Sequence, residues 1–132
     1  MKNITFEKYQ GNGNDFVVID SRGNDLYKNY KTNKIFDIKK ICNRQFGVGA
    51  DGVIFIEEPN EDNYAKMIIF NSDGSEAQMC GNGIRCLVEY LHVNDSMNNK
   101  NIEYKIETKA GLKIAKYIND EITVKMGVPI LE

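Results

Sequence analysis

Between residues 84 and 91 the apolar side chains Ile84, Leu87, Val88 and Leu91 recur at i, i+3, i+4 and i+7, the spacing of one helix face. Around that stretch the periodicity is that of strands. "FVVID" (16–20), "GVIFIEE" (52–58) and "KMIIFN" (66–71) are short β-branched or aromatic runs closed by Asp, Pro, Asn or Gly. After residue 100 the alternation becomes regular, with Ile102, Tyr104 and Ile106, then Leu112 and Ile114, then Ile122, Val124 and Met126, separated by "KAG" and "IND" turns. This pattern predicts an antiparallel meander. A second, shorter helix is expected where Asp37 can cap a segment whose apolar face is Ile38, Ile41 and Cys42, with Gly47 closing it. "YKNYKTNKI" (27–35) and "HVNDSMNNKN" (92–101) read as surface connections. A striped helix among this many strands must bury its stripe on a sheet, so the chain is expected to form one mixed α+β domain.

The 132 residues are enough for one hydrophobic core and leave little for a second. A net charge of −2 from well-mixed signs gives no basic field to hold a phosphate backbone, so no nucleic-acid partner is expected. The longest aliphatic runs, "VIFI" and "MIIF", are far too short to span a bilayer. The polar start "MKNITFEKYQG" lacks the apolar region of an export signal. These features lead to the expectation of a cytoplasmic protein without membrane contact, in which the three cysteines stay reduced.

"GVGADG" (47–52) matches the glycine pattern of dinucleotide-binding turns. Its surroundings are reversed, however, with a helix before it and a strand after it, so its glycines are read as a positive-φ passage between the two. Cys42, Cys80, Cys86 and the single histidine, His92, are the residues from which a zinc site would have to be built. Cys80 and Cys86 lie six apart, not in a short knuckle, and no metal site is expected. Cys42 and Cys86 read as small core residues, and His92, near a helix end, as either solvated or a partner of the C-terminal dipole.

Cys80 is set apart by "GNG" at 81–83, which follows it directly. A helix beginning there exposes unpaired N–H groups and the positive end of its dipole, and glycines let a ligand approach the backbone. Such a place binds a carboxylate, and the same field favours a thiolate over a thiol. The competing reading is a structural cysteine in a glycine-rich turn. "QGNGNDF" (10–16) and "NSDGSEAQ" (71–78) each touch the end of a predicted strand. Both read as ordinary turns, or as the places from which Asn14 and Asn71 offer amide groups to a zwitterionic ligand. Two amides and a helix terminus suit an amino-acid substrate.

With those residues in view, the chain resembles the N-terminal half of the diaminopimelate epimerases, cofactor-independent amino-acid epimerases of lysine and peptidoglycan precursor synthesis. The segments that carry the resemblance are "KYQGNGNDFVVID", "NRQFGVGADG" and above all "IFNSDGSEAQMCGNGIRC", followed in the family's order by "ETKAGL" and "VKMGVP". The resemblance implies an antiparallel or mixed sheet curled into a barrel-like shape around a central helix. It also implies a two-base reaction in which cysteines on opposite faces of the α-carbon remove and return a proton. Cys80 matches one of these cysteines, Asn14 and Asn71 match substrate-binding amides, and Gly81 with Asn82 matches the backbone that receives the substrate carboxylate.

Two departures bear on substrate tuning. Gln10 stands where a histidine is frequent, and the turn after the first helix reads Gly49-Ala50-Asp51-Gly52 where some members have Gly-Phe-Asp-Gln, so a side-chain contact there is expected to pass to backbone or water. The family's second cysteine lies in a mirrored C-terminal domain, and residues 1–132 are therefore read as an N-terminal domain whose partners are that domain, the amino-acid substrate and, through the exposed cleft surface, a second copy in a homodimer. Two alternatives stand beside this reading: a racemase of lanthionine or histidine on the same scaffold, and a non-catalytic half that only binds an amino acid.

Overall fold

The computed structural model describes residues 6–11, 13–33, 37–78, 80–95, 101–118 and 121–125. In chain order the elements are β1 (Glu7–Gly11), β2 (Asn14–Asp20), α1 (Leu26–Asn33), α2 (Ile38–Cys42), β3 (Gly52–Glu57), β4 (Ala65–Asn71), β5 (Glu76–Ala77), α3 (Gly81–Asp95), β6 (Asn101–Thr108), β7 (Gly111–Ile118) and β8 (Glu121–Lys125). The strands join in the order β1-β2-β3-β4-β6-β7-β8, with the short β5 paired to β4. β2 and β3 run parallel, in register Phe16↔Gly52, and α1 and α2 form the crossover between them. β4 and β6 are also parallel, through Ala65↔Ile106 and Lys66↔Glu107, and this bridge attaches the β6–β7–β8 meander to the rest. The sheet is curled into a half-barrel, and α3 lies within it, touching β1 and β2 on one side and β7 and β8 on the other.

Side-chain alternation sorts the core into two layers. Phe16, Val18, Ile54, Ile56, Met67 and Ile69 face α3, whose stripe of Ile84, Leu87, Val88 and Leu91 is wholly buried against them. Each of these four aliphatic side chains contributes about 1.5–3 kcal/mol by leaving water. On the other side of the sheet Val17, Ile19, Val53, Phe55 and Phe70 pack against Tyr30, Ile38 and Cys42. Arg85, on α3, donates to the backbone carbonyl of Ile122 at 2.6 Å and so ties the last strand to the central helix.

The three expected strands and the meander form where predicted; Met126 and "MGVP" lie outside the described residues. Several expectations are corrected. Most of 27–35 is helical rather than a surface connection: Asn24 Oδ1 accepts from the Leu26 N–H at 3.0 Å, and α1 then sets Tyr27 and Tyr30 on Phe55, with ring centroids 5.1 and 5.4 Å away. Two tyrosines in a polar stretch give no aliphatic stripe, which is why the periodicity missed it. In α2 Asp37 does cap the N-terminus, accepting from the N–H groups of Lys39 and Lys40, but the helix ends at Cys42 with Asn43 as its C-cap, not at Gly47. Of the glycines at 47, 49 and 52 read as a positive-φ passage, Gly49 alone has positive φ, at 81°. Of 92–101, residues 92–95 continue α3 and Asn101 begins β6. His92 is not solvated: it is 6% exposed, stacked on Tyr117 at 3.6 Å between ring centroids, with Nδ1 3.4 Å from the Tyr104 hydroxyl.

Candidate active site

α3 begins directly after Cys80, whose carbonyl accepts from the Ile84 N–H at 3.0 Å. Cys80 therefore occupies the N-cap position, where a side-chain oxygen usually satisfies the first N–H groups. Cysteine supplies no such oxygen. Among the described residues no side chain is hydrogen-bonded to the N–H groups of Gly81, Asn82 or Gly83, which remain free to meet an anion along the dipole axis. The helix start sits close to the sheet because Gly83 has no side chain: a Cβ there would fall 2.8 Å from Ile69 Cδ1 and 3.5 Å from Cys80 Cβ. Cys80 itself is a free thiol, partly buried against the α3-side core.

The predicted amides gather at the same end of the sheet. β2 and β3 start there and β4 ends there, in the cross-strand row Phe16–Gly52–Asn71. Asn14 shares the face of Phe16, and Asn71 that of Ile69, so both lie on the side that α3 covers. Asn14 and Asn82 are joined directly: Asn82 Nδ2 donates to Asn14 Oδ1 at 2.5 Å. Asn71 is not bonded to that pair. Its side-chain amide donates to Ser75 Oγ at 3.1 Å, and Ser75 in turn donates to Asp73 at 2.6 Å, which closes the β4–β5 turn.

Sequence reasoning missed the charged group behind Asn14. Asn14 Nδ2 donates to Asp51 Oδ2 at 3.2 Å, and the Asp15 N–H donates to the same oxygen at 3.0 Å. Arg44 spans both acids, donating to Asp15 at 2.8 and 3.1 Å and to Asp51 at 3.1 Å, while Lys8 approaches Asp15 at 3.0 Å. The Arg44 hydrogen bonds hold the Asp15 carboxyl well below the usual carboxylate range, and Asp15 in turn raises the guanidinium further. The available signal was the pair of charges at the two ends of "RQFGVGAD", which the glycine pattern overshadowed. At Gly52, where a side-chain contact was expected to pass to backbone or water, there is no room for a side chain. A Cβ there would meet the Phe70 carbonyl oxygen at 2.5 Å and the Phe16 ring at 3.1 Å, so neighbouring atoms already fill the space.

The other two thiols are enclosed. Burial raises both Cys42 and Cys86, and Cys86, with Glu89 adding to the effect, is pushed up to about 12. Among the described residues no group of three or more acidic, histidine or cysteine side chains could hold a metal ion, and no helix is long and apolar enough to cross a membrane.

The family model for diaminopimelate epimerase matches residues 6–132. The chain belongs to the diaminopimelate epimerase family. It is 53% identical to the diaminopimelate epimerase of Prochlorococcus marinus strain NATL2A over 99% of its own length and 46% of the relative's. With the enzyme of Methanocella arvoryzae the identity is 47%, over 100% of this chain and 46% of the relative. This epimerase-family chain thus spans about half the length of the curated relatives it matches. Among solved structures, a hydroxyproline epimerase from Agrobacterium vitis superposes with a TM-score of 0.67 at 17% identity, over 92% of this chain and 40% of that one. A PhzF-family protein from Bacillus anthracis does so with 0.62 at 23% identity, over 94% of this chain and 40% of that one. At those identities the likeness is one of fold.

Proposed function

We propose that this chain forms one wall of an epimerase active site that converts LL-diaminopimelate to the meso form, with Cys80 as one of two proton carriers. The observation that carries the reading is a partly buried free thiol at the N-cap of α3, beside three helix N–H groups that no described side chain occupies. The substrate α-carboxylate docks on the Gly81 and Asn82 N–H groups, which places the α-carbon near Cys80 Sγ. Cys80, as thiolate, takes the α-proton. The electron pair left behind spreads into the carboxylate, where the N–H donors and the helix dipole offset the added charge, in place of an electron-sink cofactor. A thiol on the opposite face returns a proton to the α-carbon, so one proton leaves and one arrives.

That second thiol belongs to a part of the enzyme other than these residues. Cys42 packs on the far side of the sheet and Cys86 is enclosed in the core between α3 and the sheet, so neither reaches the same α-carbon. Asn14 and Asn71 border the substrate as amide donors and acceptors. The fold does not choose among amino acids, since distant neighbours with other names share it; the choice of diaminopimelate rests on the family and on relatives at 47–53% identity. In this reading the enzyme works in the cytoplasm, in lysine and peptidoglycan precursor synthesis.

The test is proton NMR of LL-diaminopimelate in D2O with the full-length protein, comparing wild type and Cys80→Ser. Loss of the α-proton signal together with appearance of the meso isomer is expected with wild type alone. Equal turnover by the variant would end the proposal, and turnover of lanthionine or histidine instead would reassign the substrate.

A further inference from the structure

The groups behind Asn14 form a chain of hydrogen bonds with a single direction. Asn82 Nδ2 donates to Asn14 Oδ1, Asn14 Nδ2 donates to Asp51 Oδ2, and Asp51 Oδ1 accepts from Arg44. A side-chain amide has a donor end and an acceptor end, and in an unconstrained site it can turn over at little cost. A carboxylate only accepts. With Asp51 facing it, Asn14 must present its NH2 group to Asp51 and its carbonyl to Asn82. That carbonyl in turn obliges Asn82 to point its own NH2 group at Asn14. Turning Asn14 over would set its oxygen against the Asp51 oxygen at 3.2 Å, with no proton between them.

We propose that Asp51 is a positioning residue which, through Asn14, fixes the orientation of the Asn82 side-chain amide at the mouth of α3. The proposal rests on the reading of Asn14 and Asn82 as substrate-facing. The relay leaves Asn82 Oδ1 as the acceptor, since no described group donates to it, together with one spare N–H on each amide. A fixed acceptor beside a helix N-terminus that takes a carboxylate is what a zwitterion requires: the acceptor suits the α-ammonium, the N–H groups the α-carboxylate. Asp51 is itself held against turning, because Arg44 engages one of its oxygens and the Asp15 N–H the other. The crossover between β2 and β3 brings Arg44 and Asp51 to this point, so the segment between α2 and β3 sets the polarity of the amides.

Asp51→Asn tests this, because it keeps the size of the side chain while reversing the logic. With its NH2 group turned toward Asn14 the new side chain gives up the bond from the Asp15 N–H, Arg44 retains the one oxygen left at position 51, and both Asn14 and Asn82 turn over. In the full-length protein, kcat/KM for LL-diaminopimelate is expected to fall about 100-fold, with a small fall in Tm from the lost Asp15 N–H bond. In 15N-edited spectra the side-chain NH2 resonances of both Asn14 and Asn82 are expected to move. The double variant Asn14→Asp, Asp51→Asn restores an acceptor at 14 and is expected to return the Asn82 resonance to its original position. An Asn82 resonance that stays put in Asp51→Asn overturns the proposal, even if activity drops. Should that variant fail to fold, the wild type decides: the Asn14 NH2 and the Asp15 backbone N–H, which converge on one Asp51 oxygen, must show a mutual nuclear Overhauser effect, and its absence is equally fatal. The spectra do not depend on turnover, so an inactive wild type would defeat the epimerase reading while leaving the relay to stand or fall on the resonances.

Discussion

At its C-terminal end α3 is tied to the sheet by charge, and at its N-terminal end it is left open. Arg22 donates to Asp20 at 2.9 and 3.0 Å and to Asp95, in the last turn of α3, at 2.8 Å. Tyr64 adds a 2.9 Å bond to Asp95, and Tyr90 a 3.2 Å bond to Asp20. Burial alone would raise Asp20, but the hydrogen bonds and charge of Arg22, with the Tyr90 hydroxyl, outweigh it and hold the carboxyl below its usual range. At the other end the N-cap is a cysteine that satisfies none of the free N–H groups, and the polar side chains nearby are neutral amides steered by a carboxylate. One helix thus has an end anchored by charge and an end whose first N–H groups no described side chain occupies.

The comparison can be broken from either side. The largest effect is expected at the open end, where Cys80→Ser should lower turnover by about 10²- to 10⁴-fold, the usual worth of a general base, without changing Tm. Gly52→Ala comes next. Its Cβ would press on the Phe70 backbone and the Phe16 ring beside Asn14, and should cost about 2–3 kcal/mol in chemical denaturation. Arg22→Met tests the anchored end and should cost about 2 kcal/mol by leaving Asp20 and Asp95 without their cation, while kcat/KM in the full-length protein changes little.

The same contrast has a pH signature. Asp15 and Asp20 both titrate lower in the folded chain than the ordinary value of about 3.9. Their contribution to stability is therefore complete above about pH 5 and is lost as the pH falls through about 4 and below. Thermal melts between about pH 6 and pH 3 should show Tm falling with acid, and falling less steeply in Arg22→Met, whose Asp20 has lost what depresses it. The smallest effect is expected at Phe46, which is 85% exposed: Phe46→Ser should alter stability by less than about 0.5 kcal/mol.

What the sequence made legible was whatever repeats locally. The α3 stripe, the three buried strands and the alternation from Ile102 to Val124 each announce their period, and "CGNG" announces a helix start with an unusual cap. α1 was hidden because its contacts are two tyrosines on Phe55 and Phe70, and β1 because an edge strand of Glu, Lys, Tyr and Gln has no apolar face of its own. His92 does lie in the last turn of α3, but its burial was hidden because nothing near it in sequence reveals that Tyr117, twenty-five positions on, covers its ring. The site divided in the same way. As candidates, Asn14, Asn71, Cys80, Gly81 and Asn82 stood out in their turns, whereas Asp51 as the partner of Asn14, 37 positions on, depends on the parallel register of β2 and β3 and is written in no local pattern.

The central claim is that Cys80 alone of the three thiols stands at a substrate-binding end. Timed alkylation of the native full-length protein with iodoacetamide, read by peptide mass spectrometry with and without LL-diaminopimelate, tests it directly. Cys80 should be modified while Cys42 and Cys86 stay protected until denaturant is added, and the amino acid should slow the modification of Cys80. Modification of Cys86 as fast as Cys80, or a Cys80 rate indifferent to the amino acid, would contradict the account.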